Sequence, residues 1–131
     1  MISVGLLLIR LFIGVAFIGH GAQKLFGWFG GYGPKGTGGW MESVGIKPGV
    51  AMAVLAGILE LGGGLLFAAG LFTPVGAVML ILAMAGAMKV HLSNGFWATA
   101  NGYEYPLTLL VVAAGVAFAG PGSISLDHLL F

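Results

Sequence analysis

The chain has 131 residues, 59% hydrophobic and 7% charged, with a formal net charge of +1 and no cysteine. An ordinary soluble domain is roughly 25% charged, so this composition, with a mean hydropathy of +1.07, describes a membrane protein. The near-neutral charge excludes a basic surface for nucleic acid. The lack of cysteine excludes disulfides, thiol redox catalysis and iron–sulfur ligation by this chain alone.

The first apolar run, Ile2 to Phe26, is long enough to span a bilayer. The opening Met1-Ile-Ser-Val lacks the positive charge of a cleavable leader, so the run is read as a mature span. It nevertheless holds Arg10, His20, Gln23 and Lys24. A charge in hydrocarbon costs about 2.5–3.5 kcal/mol on insertion scales, so each needs a partner, a cavity or a route to the interface. At about 100° per residue, Arg10 and Lys24 fall roughly 40° apart, and His20 lies roughly 40° beyond Lys24. The three share one wedge of a helix, with Gly14 and Gly21 between them, while Leu6, Leu8, Leu11, Phe12 and Ile13 suit lipid.

Glycines and Pro34 make Gly27 to Gly39 a connection. Within it, Thr37 to Val44 is expected to form a short interfacial helix with Trp40, Met41 and Val44 toward lipid. Span two is placed at Pro48 to Ala69, with proline in its first turn. Its one charge, Glu60, stands among Gly57, Gly62, Gly63 and Gly64, where small residues permit close helix packing. Gly70-Leu-Phe-Thr-Pro74 is too short to cross back, so span three, Pro74 to Val90, returns as an antiparallel hairpin. A polar and aromatic loop, Ser93 to Gly102, leads to span four, Tyr103 to Ala119, which Gly120-Pro121-Gly122 stops. The tail Ser123 to Phe131 reads as a short amphipathic turn or helix. The expected fold is thus all-α: one integral membrane domain over residues 1–131, an antiparallel four-helix transmembrane bundle with a short interfacial helix between spans one and two.

In this topology both termini share one side of the membrane. All three tryptophans (Trp28, Trp40, Trp97) and all three tyrosines (Tyr32, Tyr103, Tyr105) lie on the other. Aromatic belts normally mark both interfaces, so a one-sided set suggests a lid or mouth. Lys24, Lys35, Lys47 and Lys89 lie on the aromatic side as well. The positive-inside rule then puts those loops in the cytoplasm and the termini outside.

Arg10 and Glu60 are the charges in the middle of spans one and two. Counted from the terminal side, they sit at similar depths, roughly 12 and 13–14 Å at ~1.5 Å per residue. A buried Arg10–Glu60 ion pair is therefore expected, either as a clamp on helix register or as the wall of a pocket. Nearer the aromatic side, His20, Gln23, Lys24, Lys89, His91, Asn101 and Glu104 converge from three spans on one level. Each has a plain alternative: lysines reach headgroups, and Glu104, three residues after Asn101, has capping-box spacing. His20, about one and a half turns inside its span, has no capping task. His20 lies inside a span and His91 at the end of one, so no metal or haem site is expected between them.

Arg10 with Gly14, Gly19-His20-Gly21 with Lys24, Glu60 with Gly63-Gly64, the Gly70–Pro74 turn, Lys89 with His91, and Gly102-Tyr-Glu104 form a pattern that covers nearly the whole chain. It resembles the DoxX family of small bacterial membrane proteins, which includes the membrane subunit of thiosulfate:quinone oxidoreductase. The resemblance implies a four-helix bundle in the bacterial cytoplasmic membrane, working as the membrane subunit of a redox system with quinone and a separate soluble oxidoreductase. His20, Lys24, His91 and Glu104 are the candidate quinone ligands, with Glu60 and Glu104 as proton relays and no covalently bound cofactor. The alternative is a non-catalytic scaffold or a small-molecule carrier, for which four spans would call for a homo-oligomer.

Overall fold

Six α-helices and no strands make up the computed structural model, which describes all 131 residues. Helix α1 runs Ile2–Phe26, α2 Gly33–Ser43, α3 Gly49–Ala69, α4 Thr73–His91, α5 Glu104–Ala119 and α6 Leu126–Leu130. Between α4 and α5 lie two single 3-10 turns, Leu92–Asn94 and Ala98–Ala100. Three segments, Ile2–Phe26, Gly49–Ala69 and Thr73–Asn94, are long and apolar enough to cross a membrane. The apolar helix α5 has 16 residues, about 24 Å at 1.5 Å per residue.

Antiparallel α1 and α3 make the closest helix contact. Gly14 meets Gly64 and Ala68, while Gly21 meets Gly57 and Leu61. A β-carbon on Gly14 would lie 2.8 Å from the Gly64 carbonyl oxygen, and one on Gly64 would lie 2.6 Å from that of Gly14. No side chain fits either position, so the two backbones pack directly, as small residues allow in lipid. Helix α4 turns back along α3, with Gly76 against Gly63 and Leu66. The buried core gathers Phe17, Phe67, Ala77, Leu80, Met84, Ala113 and Val116 from α1, α3, α4 and α5. Leu8, Leu11, Phe12, Val15, Leu55, Ile58, Val78 and Leu82 stay exposed on the outer faces.

The interfacial helix is longer than expected and sits differently. Helix α2 begins at Gly33, with Pro34 in its first turn. Met41 is buried rather than lipid-facing, while Trp40 and Val44 are exposed. The cause is close packing of α2 on the start of α3, where Gly38 abuts Gly49 and Val50. Glu42 Oε2 accepts the Gly49 N–H at 3.0 Å, meeting one of the unpaired donors at the start of α3.

The expected Arg10–Glu60 pair does not form. Arg10 is 1% exposed, and its guanidinium donates only to carbonyls: Phe67 at 3.2 Å, Ala68 at 3.0 Å, Pro121 at 2.7 Å and Ile124 at 2.8 Å. Phe67 and Ala68 belong to the last turn of α3, which carries the negative end of the helix dipole; the Ala68 carbonyl lacks an intrahelical donor, and that of Phe67 also accepts the Gly70 N–H at 3.2 Å. Left-handed Gly70 (φ 65°) ends α3 beside the guanidinium, with no room for a β-carbon. The depth comparison fails because the ends of α1 and α3 are not level. The glycine contacts set Arg10 opposite the end of α3, so the first two turns of α1 project beyond it. They pack against the tail, where the Ser123 hydroxyl bonds the Ser3 hydroxyl at 2.6 Å.

Asp127 in α6 completes this end. Its carboxylate accepts the Phe72 and Thr73 N–H groups at 2.6 and 2.9 Å, and the Thr73 hydroxyl at 2.7 Å. It therefore caps α4 from outside the helix. Burial pushes the Asp127 carboxyl up, but the Thr73 and Phe72 hydrogen bonds and the Arg10 charge outweigh it and hold it below its usual range.

Candidate functional site

The four acidic residues divide by what their carboxylates meet. Glu42 caps α3, Asp127 caps α4, and Glu104 Oε1 accepts the Ala98 N–H at 2.9 Å. All three serve the backbone. Glu60 alone meets a cation: Lys24 Nζ donates to its Oε1 at 2.9 Å. The Glu60 side chain is 5% exposed and that of Lys24 24%. Lys24 reaches Glu60 because the glycine contacts bring the last turn of α1 beside Gly57 on α3.

This pair sits in the wall of a cleft of about 360 Å³, which is mainly apolar. All four large apolar helices and α2 contribute: Phe17 from α1, Trp40 and Met41 from α2, Met84 from α4 and Tyr105 from α5 are among its lining residues. A hydrophobic chamber with a few convergent polar groups is the usual form of a small-molecule site. Here the polar groups are Lys24, Glu60, His20, His91 and the Tyr105 phenol.

Both histidines are held by second partners. Gln23 Nε2 donates to the Phe29 carbonyl at 3.2 Å, which turns Gln23 Oε1 toward His20 Nδ1, 3.3 Å away. His91 Nδ1 is 2.9 Å from the Asn101 carbonyl, to which Asn94 also donates. In each ring the oxygen partner assigns the hydrogen to Nδ1, so Nε2 is the remaining polar atom. His20 is exposed, at the rim of the cleft rather than deep within it.

Of the residues singled out in the sequence, His20, Lys24 and His91 line this one cleft. Glu104 does not: its carboxylate turns away to the Ala98 amide, six residues back rather than to a capping-box partner. Glu60 joins the group in place of Arg10, which lies fourteen residues before Lys24 on α1, roughly 21 Å at 1.5 Å per residue. Sequence reasoning missed Met41, Met52, Met84 and the aromatic wall of Trp40 and Tyr105. The one-sided placement of the aromatic residues was the signal that could have found that wall.

The DoxX family model matches residues 5–98. The chain belongs to the DoxX family. The matched stretch carries α1 to α4 and with them Arg10, Lys24, Glu60, His20 and His91, whereas α5 and the Asp127 tail lie beyond it. Relatives of this DoxX protein include an uncharacterized membrane protein of Mycobacterium tuberculosis, 32% identical over 93% of this chain and 78% of its own length. A Bacillus subtilis protein named "Putative oxidoreductase CatD" is 31% identical over 98% of this chain and 89% of its own. An uncharacterized protein of Haemophilus influenzae is 31% identical over 94% and 88%. No solved structure matches the chain. Family membership and the apolar helices together make this a multi-pass membrane protein.

Proposed function

We propose that this DoxX protein is the membrane subunit of a redox system in the bacterial cytoplasmic membrane, that it binds quinone in the Lys24–Glu60 cleft, and that a separate soluble oxidoreductase supplies the electrons. The observation that carries this reading is the placement of the one acid–cation pair. The remaining carboxylates serve the backbone, while Lys24 and Glu60 border an apolar chamber shared with two histidines. A quinone has this two-sided chemistry: carbonyl oxygens that accept hydrogen bonds, and an apolar ring and tail. Lys24 and the Tyr105 phenol supply donors to the carbonyl oxygens, the histidine Nε2 atoms accept from the hydroxyls of the reduced ring, and Glu60 orients the lysine.

In this reading α5 is the fourth span of an antiparallel transmembrane bundle. Its return along α4 through Ala113 and Val116 supports that place. At 16 residues it is shorter than the ~20 usual for a span, and the flanking loop and tail make up the thickness. The name of the Bacillus subtilis relative supports a redox role.

Trp40 in the cleft wall provides the test. Purified protein is titrated with a short-chain quinone while tryptophan fluorescence is followed. Saturable quenching that weakens in Trp40→Phe is expected, together with quinone in an organic extract of the protein. His20→Phe loses one hydrogen bond, worth about 1 kcal/mol, so its affinity falls several-fold while its melting temperature holds. Lost stability with unchanged affinity would assign His20 a structural role. A quinone-free extract with no saturable quenching points instead to a scaffold or carrier.

A further inference from the structure

A second hollow, of about 350 Å³, lies on the loop side of the same lysine. Its lining differs from that of the cleft: Gln23, Gly30, Gly31, Tyr32 and Thr37 are polar or backbone-rich. It is framed by the end of α1, the Gly27–Tyr32 connection and α2, on the face that carries Lys35 and Lys47. Lys24 and Trp40 line both chambers and form the partition between them. The pair is exposed on one member only, 24% for the lysine against 5% for the carboxylate. Lys24 is therefore the accessible member of the pair and Glu60 the enclosed one. A second link crosses at the same level, since His20 lines the cleft and its partner Gln23 lines the hollow.

We propose that the hollow is the aqueous port of the cleft and that Lys24 carries protons through the partition, so that a cleft ligand exchanges protons with the aromatic-loop side of the membrane. This rests on the quinone reading for the ligand alone. A quinone that receives two electrons from the oxidoreductase partner, a two-electron donor by class, needs two protons to become quinol. In each transfer a Lys24 N–H bond breaks, an O–H bond forms on the ligand, and the neutral amine takes its replacement proton from water in the hollow. Glu60 accepts from Lys24 Nζ at 2.9 Å and holds the amine at the partition. The other titratable groups lining the two chambers are His20 on the same helix, His91 at the end of α4, Tyr105 on α5 and Tyr32 before α2. A lysine suits this role because it can release its proton, which an arginine cannot.

The absence of cysteine permits a clean test by single-cysteine labelling in liposomes. The probes are a charged, membrane-impermeant methanethiosulfonate and an apolar maleimide. Thr37→Cys reports on the hollow, Leu109→Cys on the cleft, and Lys24→Cys in a Glu60→Gln background on the partition without leaving a buried charge. The charged reagent is expected to modify the hollow and partition positions at rates within about tenfold of each other. Leu109→Cys should resist it while accepting the maleimide. Filling the hollow with Thr37→Trp should slow modification at position 24 by about tenfold or more. Native Lys24 provides a measurement that needs no change at the partition. A sulfonated amine-acetylating reagent should modify it more slowly than Lys35, and more slowly still in Thr37→Trp. A position 24 inert to both reagents while Thr37→Cys and Lys35 react would overturn the port. Equal labelling of Leu109→Cys by the charged reagent would do the same, because no partition would then exist. The ligand reading is scored separately: a short-chain quinone should protect Leu109→Cys from the maleimide, and failure there sinks quinone binding while leaving the port in place.

Discussion

Arg10 and Lys24 are two cations on one helix, and the protein accommodates them in opposite ways. Arg10 is sealed, and its planar fork is divided among four backbone carbonyls from two segments. Lys24 is a point charge held by one carboxylate, partly open to water and next to a cleft. The first arrangement ties chain ends together: the exit of α3, the tail and, through Asp127, the entry of α4. The second leaves a titratable group at the wall of a chamber. A buried charge does not by itself mark a site. What separates the two is whether its partners are carbonyls of helix ends or a side chain beside a cavity.

The largest expected effect lies at the sealed end. Arg10→Met leaves the Ala68, Pro121 and Ile124 carbonyls without their donor, while that of Phe67 keeps the Gly70 N–H, at about 1–3 kcal/mol for each unsatisfied group and less than their sum in total. A fall in folded yield in detergent and a loss of at least about 3 kcal/mol in unfolding experiments are expected. Adding Glu60→Gln should not restore it, because sites this far apart behave additively. Rescue in the double variant would contradict the separation of the two sites.

A smaller loss is expected at the open end. Glu60→Gln strands Lys24, but the lysine is partly solvated, so the cost falls below the roughly 3–5 kcal/mol of a fully buried pair. Lys24→Met with Glu60→Gln should recover most of the melting temperature and lose ligand affinity. If the double variant melts as low as Glu60→Gln alone, the pair is more than an exchangeable contact.

Asp127 adds a pH dependence to the sealed end. Its folded pKa is depressed, so its contribution is present above its ordinary value of 3.8 and is lost as pH falls through the lower folded value. Asp127→Asn is expected to cost about 1 kcal/mol at neutral pH, as loss of a helix cap does. It should also flatten the decline of melting temperature below about pH 4 that the wild type shows. An unchanged acid slope in the variant would remove Asp127 from that role. The smallest effect on ligand affinity belongs to Glu104→Gln. That carboxylate holds the Ala98 amide and does not line the cleft, so quinone titrations should match wild type within about twofold.

Much of the secondary structure was legible in the amino-acid order. Hydropathy placed the start and end of α1 at Ile2 and Phe26, and α4 extends only a residue beyond each end of the stretch read as span three. Chain breakers set these limits: Gly27, Gly70 and the Gly120-Pro121-Gly122 run each stop a helix through backbone preferences that act locally. The convergence of His20, Lys24 and His91 was legible too, because helix periodicity and position along the spans bring them to one level and one side. Which charge meets which was not. Depth counted from span ends paired Arg10 with Glu60, whereas direct backbone contact at Gly14–Gly64 and Gly21–Gly57 sets a register that carries Arg10 to the end of α3 and Lys24 to Glu60. Only the packed molecule decides that offset, because it depends on the fit of two helix surfaces over several turns, and a shift of one turn moves every partner by about 5.4 Å.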